Sequence, residues 1–175
     1  KWTASELAAI GIYEVTFDDS NKKNEQWYIN TNQTFTYDAS AKTVTATYGT
    51  ATAKKHADTN WTQKQIDDGD APEGADTDTV ATRGLKYNLI QTLKQQAAGI
   101  LQDTDWYIVR KTDAGTAVPS AITTHRAAVR TKAAEMETAI TNASDTSALE
   151  TLYTYTEQED GSTTRPLGEL PTLES

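Results

Sequence analysis

The stretch from Leu85 to Ile140 constrains this chain more than any other. Apolar residues recur at Leu85, Leu89, Leu93, Ala97 and Ile100/Leu101, the spacing that lays one stripe along a helix. The pattern returns at Ile122, Val129, Ala133, Met136 and Ile140. Between the two stripes sits the densest apolar run in the chain, Trp106-Tyr107-Ile108-Val109. Neither outer helix can hide its stripe alone, so the economical expectation is that both fold against that middle segment. The first helix is predicted over 82–101. Asp103 or Thr104 caps the second, which stops at Gly115, a natural left-handed end. Pro119 and Ser120 open the third, which runs to Asn142, and Ser144-Asp-Thr-Ser147 starts a short fourth through Tyr153.

The N-terminal third changes period. Thr3 and Glu6 have capping-box spacing for a short helix over Leu7 and Ile10 that stops at Gly11. Ile12 to Phe17 then alternates apolar and polar, and Gln26 to Asn30 reads as a second strand. Thr34-Phe-Thr-Tyr-Asp38 and Lys42-Thr-Val-Thr-Ala-Thr-Tyr48 alternate on both sides of a short polar connection, which predicts a hairpin. Phe35 and Tyr37 then share a side with Val44 and Tyr48, and threonines take the other. A lone hairpin is marginal, so the strands at Ile12 and Trp27 are expected to complete a small antiparallel sheet.

Elsewhere the hydrophobic pattern lapses. Trp61 and Ile66 are the bulky apolar residues of the stretch before Asp67-Asp-Gly-Asp-Ala-Pro-Glu-Gly-Ala-Asp-Thr-Asp78. Such sequence cannot bury enough surface to offset its conformational entropy, and it reads as a linker or long loop pinned by Trp61. Beyond Tyr155 the chain is again acidic and reads as extended. The expectation is an α+β protein: a small N-terminal antiparallel β-sheet in 1–53, an acidic linker in 54–81, a C-terminal bundle of three to four helices in 82–154, and an extended acidic tail in 155–175.

Charge separates classes of partner. The formal net charge is -9. Three Lys face seven acids between Lys54 and Val80, and one Arg faces five acids from Tyr155 onward, so each segment carries -4. Nucleic acid as a ligand is disfavoured, because phosphate binding needs clustered Lys and Arg. Solubility or a basic protein partner explains the acidic segments. No apolar run approaches the ~20 residues that cross a bilayer, and no secretory leader pattern is present, so no membrane role is expected. Cysteine is absent, which removes disulfides and thiolate metal sites.

Catalytic and metal motifs are missing from the sequence. His56 and His125 have no partners at zinc-ligand spacing. Counting a calcium loop from Asp68 puts Glu73 where glycine is required, and Pro72 breaks the ligand order. No nucleophile elbow, phosphate loop, dinucleotide fingerprint or His-Glu-x-x-His helix occurs. Asn32-Gln-Thr, Asn60-Trp-Thr and Asn142-Ala-Ser fit the glycosylation triplet. The expectation is therefore no enzyme, no cofactor and no metal. The candidate interface residues are Trp27, Tyr28, Trp61 and Trp106 among the aromatics, Arg126 and Arg130 on the third helix, and Leu167 and Leu170 in the tail. Aromatics of this kind either fill a core or anchor contacts to proteins and sugars. Arg126 pairs either with Asp103 or Asp105 inside the bundle or with a neighbouring subunit.

Thr104-Asp-Trp-Tyr-Ile-Val-Arg-Lys111, continuing through Pro119 and His125-Arg-Ala-Ala-Val-Arg130, resembles a pattern in tail fibre assembly and tail-associated proteins of tailed bacteriophages. The opening Ser5-Glu-Leu-Ala-Ala-Ile-Gly-Ile-Tyr-Glu-Val15 is similar to their N-terminal starts. The resemblance covers about half of the chain, mostly 85–140. It implies a virion component that contacts other phage structural proteins, as a homo-oligomer within an assembly. A tail fibre assembly chaperone and a receptor- or carbohydrate-binding module are the alternatives.

Overall fold

The computed structural model describes residues 2–31 and 33–173, so Asn32 of the first glycosylation triplet and the last two tail residues lie outside the described residues. The fold is α+β, and the chain divides into two compact units, 1–54 and 55–175.

The first unit opens on α1 (Ala4–Ala9). Thr3 caps it, accepting from the Glu6 amide, and Glu6 returns the bond to the Thr3 amide, as the capping-box spacing predicts. The main sheet has three strands: β1 (Val15–Asp18), β4 (Thr43–Thr47) and β3 (Thr34–Asp38), in the order β1-β4-β3. The hairpin forms where both arms alternate, with Asp38 opposite Thr43 and Phe35 opposite Ala46. Its connection is held by the Asp38 carboxylate, which accepts from the Ser40 and Ala41 amides at 2.8 and 3.0 Å.

Two sheet expectations are corrected. β1 runs parallel to β4, so the sheet is mixed rather than antiparallel. The strand at Trp27, β2 (Tyr28–Ile29), stays outside it and pairs with β5 (Thr52–Ala53). A period-two pattern identifies a strand and its faces. It carries no information on direction or neighbour.

In the second unit, α3 (Leu85–Gln102) and α5 (Ser120–Asn142) lie antiparallel, zipped at three heights. Lys86 Nζ donates to the Thr141 carbonyl at 2.7 Å, Lys94 pairs with Glu137 at 2.8 Å, and Arg126 reaches the Leu101 carbonyl. Their stripes meet directly: Leu93 and Ala97 from α3, and Ile122, Val129, Met136 and Ile140 from α5, are buried. Leu149 of α6 (Thr146–Tyr153) joins them, under an Asp145 cap that accepts from the Ala148 amide at 2.8 Å.

The middle helix, α4 (Asp105–Ala114), does not serve as the surface on which the outer helices fold. It buries no residue, and Trp106, Ile108 and Val109 are exposed. Four consecutive apolar residues point around the whole circumference of a helix at 100° steps, so they build no stripe. The helix does end at Gly115, whose φ of 67° is the left-handed stop expected there.

The acidic stretch and the tail are corrected as well, because both fold onto the second unit. Within the stretch, β6 (Thr59–Asn60) pairs with β7 (Val80–Thr82), and α2 (Gln63–Asp67) carries its own Thr62–Gln65 capping box. Asp76 closes the acidic loop by accepting from the Asp78 amide and the Thr79 hydroxyl. Upstream, the Lys55 and His56 carbonyls accept from the Leu85 and Lys86 amides, donors that α3 itself leaves unmatched. Gly84 sits where this backbone crosses: a Cβ there would lie 2.3 Å from Ala57 C, so no larger residue fits. In the tail, β8 (Thr156–Glu157) and β9 (Thr163–Thr164) form a hairpin around Asp160-Gly-Ser. Leu167 then buries its side chain and donates its amide to the Leu152 carbonyl. Side chain-to-backbone bonds and a few anchoring apolar residues replace the core that composition denies these segments.

Asp58 ties this seam together. Its carboxylate accepts from the Gly84 amide at 2.8 Å and from Arg83 at 2.6 Å. The Gly84 amide first, then Arg83, holds its pKa below the ordinary value. A depressed folded-state pKa gives stability that is present above the usual carboxylate range of about 4 and is lost as pH falls through the folded value. Amide-exchange protection at Gly84 and Leu85, corrected for intrinsic rates, should therefore fall on acidification below about pH 4. Asp58→Asn should reproduce the loss at neutral pH.

Candidate interaction site

The three-stranded sheet has two unlike faces. Residues opposite one another in register share a face, so Val15, Val44 and Tyr37 form one apolar row and Phe17, Ala46 and Phe35 the next. Thr16, Thr45 and Thr36, with Thr34, Thr47 and Asp18, occupy the reverse face. Phe17 and Phe35 are 66% and 63% exposed, and Val15 and Tyr37 are exposed too, whereas Ala46 between the two phenylalanines is buried. Apolar sheet faces are ordinarily covered by a helix or a second sheet. The Tyr13 and Tyr37 rings lie 4.6 Å apart at one margin, and the hydrogen bond between them raises the Tyr37 pKa.

Of the residues singled out from sequence, the structure withdraws four from any surface role. Trp27 is 2% exposed, Tyr28 is buried with Lys23 Nζ 4.5 Å from its ring centre, and Leu167 is buried. Arg126 is buried in the corner between α3 and α4. It donates to the Leu101 carbonyl at 2.6 Å and the Thr104 hydroxyl at 2.7 Å, and pairs with Asp105 at 2.8 Å. The pairing inside the bundle is thus the one adopted. Trp61 and Leu170 are half-buried, and Arg130 is exposed beside Arg126. Trp106 is exposed, with the Arg110 guanidinium 4.5 Å from its ring centre. Four of the eight are thus buried inside their own unit and offer no exposed site.

Sequence reasoning missed Phe17 and passed over Phe35 and Tyr37, although it placed them in strands. The alternation was legible. Its direction toward water was not, because a buried and an exposed apolar face have the same period.

A groove of about 700 Å³ in the second unit, between α3, α5 and the tail, holds a cluster of ionisable side chains. Arg165 and Glu169 form a two-pronged ion pair there, at 2.8 Å on each arm. Tyr155 donates to Glu169 at 2.6 Å, and that bond first, with burial, raises its pKa. Arg165 also lies 5.2 Å from the ring centres of Tyr153 and Tyr155. Both Glu169 oxygens and the phenol are engaged with one another, so this cluster braces the tail. Among the described residues, no three His, Asp or Glu side chains converge as a metal site, and no helix is long and apolar enough to cross a membrane.

No protein-family profile matches the chain, and neither a curated protein nor a solved structure is significantly similar to it.

Proposed function

We propose that this chain is a non-enzymatic structural component of a tailed-phage virion, in the tail, baseplate or fibre region, that works by docking its N-terminal sheet on other proteins. The observation that carries the reading is the uncovered apolar face of Val15, Phe17, Phe35 and Tyr37. Contiguous exposed apolar surface of this kind marks contact sites, since in water it gains nothing by exposure. The Thr104–Arg130 resemblance supplies the phage setting. The burial of Trp27 removes one of the three candidate tryptophans from any sugar-binding surface.

Peptide mass spectrometry of purified phage particles tests the assignment. A component is present in stoichiometric amount in mature particles. Its absence there, together with its presence in assembly intermediates, would replace this reading with the assembly chaperone. The contact face is tested by Phe17→Glu. This side chain is mostly in water, so its replacement should change folding stability by no more than about 0.5 kcal/mol. Incorporation into particles should nevertheless fall sharply, because a charge would enter a desolvated contact. A Phe17→Glu chain that incorporates normally would remove the sheet face from the docking surface.

A further inference from the structure

The edge of the same sheet carries a more specific message than its face. β3 is an outer strand, all five of its residues are exposed, and its register with β4 is unbroken. It contains no proline, no lysine and no bulge, the devices by which proteins ordinarily block edge pairing. The direction of its free backbone groups follows from its neighbour. The Val44 amide donates to the Glu14 carbonyl at 3.2 Å, so Val44 turns its polar groups toward β1. In an alternating ladder Thr43, Thr45 and Thr47 then turn theirs toward β3 and engage Asp38, Thr36 and Thr34. Phe35 and Tyr37 are left with their N–H and C=O groups pointing out of the open edge. Their side chains belong to the apolar face.

We infer that β3 pairs with β3 of a second copy of this chain, antiparallel, about a twofold axis through Thr36. Phe35 of each copy meets Tyr37 of the other, and each such pair exchanges both outward hydrogen bonds. The apolar rows become continuous. Phe17, Ala46 and Phe35 of one copy run on into Tyr37, Val44 and Val15 of the second. On the reverse face Thr36 meets its own counterpart and Thr34 meets Asp38, so no like charges oppose one another. The register is selected by the sequence. A one-residue slip sets aromatics against threonines on opposite faces. A two-residue slip keeps the faces but leaves one aromatic of each strand opposite Gln33 or Ala39. Only the register centred on Thr36 gives two aromatic cross-strand pairs, and such pairs are the unit that stabilises a sheet. The contact is isologous, so it closes at two copies.

The inference extends the docking reading to one named partner, and rests on it only in assigning contact to the N-terminal sheet. Its test uses the full chain, which has no cysteine, so each introduced thiol is the sole thiol present. Thr36 and its counterpart would form a non-hydrogen-bonded pair with Cα atoms about 4.5 Å apart, within disulfide reach. Under mild oxidation Thr36→Cys should form disulfide-linked dimers at least about tenfold faster than Thr16→Cys on the opposite edge, because pairing raises the local thiol concentration into the millimolar range. Thr34→Cys alone should behave like that control, whereas a mixture of Thr34→Cys and Asp38→Cys chains should cross-link. The unmodified chain should sediment as a dimer, and Phe35→Pro, which deletes an amide unused within the chain, as a monomer. Fast cross-linking through Thr16→Cys would transfer the contact to β1. An unmodified chain that stays monomeric, with Thr36→Cys no faster than the control, overturns the inference. A monomer that is nonetheless stoichiometric in particles removes this pairing alone, and a dimer missing from particles removes the virion reading alone.

Discussion

Replacing Arg126 with alanine should destabilise the helical unit by about 3 kcal/mol, the sum of lost charge-assisted hydrogen bonds and of the cavity left by the side chain. The guanidinium is held between the end of α3 and the start of α4, where it serves the Leu101 carbonyl, the Thr104 hydroxyl and the Asp105 carboxylate together. The two sides of the ion pair are unequal. The Arg126 side chain is 8% exposed and that of Asp105 is 54% exposed. Removing the arginine leaves Asp105 in water, so no uncompensated buried charge adds to the cost. Leu101 keeps the Thr104 amide and hydroxyl as donors. Arg126→Met, which restores most of the volume, should therefore recover part of the loss. Asp105→Asn should cost less than about 0.5 kcal/mol, as exposed ion pairs do. Denaturant unfolding followed by helical circular dichroism measures all three, since α2 to α6 belong to this unit. Equal costs for Arg126→Ala and Asp105→Asn would mean that the ion pair, and not the corner clamp, carries the energy.

The second large effect is expected at Ile140. It lies at the end of the α5 stripe with no exposed surface, as do Val129 and Leu149. Truncation to alanine removes three carbons from a fully buried site in a packed helical core, so the cavity closes only in part. A loss of about 3–4 kcal/mol follows, against about 1 kcal/mol for Ile140→Val. The denaturation midpoint should fall without a change in slope, because the surface exposed on unfolding is nearly unchanged. Val109→Ala provides the contrast. That residue is exposed on α4, and its truncation should stay within about 0.5 kcal/mol. Comparable losses at Ile140 and Val109 would show that the middle helix belongs to the core after all.

How far the amino-acid sequence reaches can be followed residue by residue. The capping box of Thr3 and Glu6, the start of the fourth helix within 144–147, the stop at Gly115, the span of α5 and the 34–48 hairpin were legible in the order of residues. Each rests on side chains and amides a few positions apart, so the chain carries its own instructions. The stripes of α3 and α5 were legible as well, because a helix converts spacing into a face.

Everything that required knowing what a face meets came from the tertiary structure. The run at 106–109 is the most apolar in the chain, yet it is largely in water, because contact follows geometry and not local hydrophobicity. Arg126 had two readings, a pair inside the bundle or one with a neighbouring subunit, until α3 and α4 closed around it. The acidic stretch and the tail read as solvated by composition. They fold because distant groups, the amides at the start of α3 and the Leu152 carbonyl, offer them partners. The direction of β1 and the outward aspect of Phe17, Phe35 and Tyr37 have the same origin. Period and propensity act over one or two turns of chain, whereas burial is settled by segments tens of residues away.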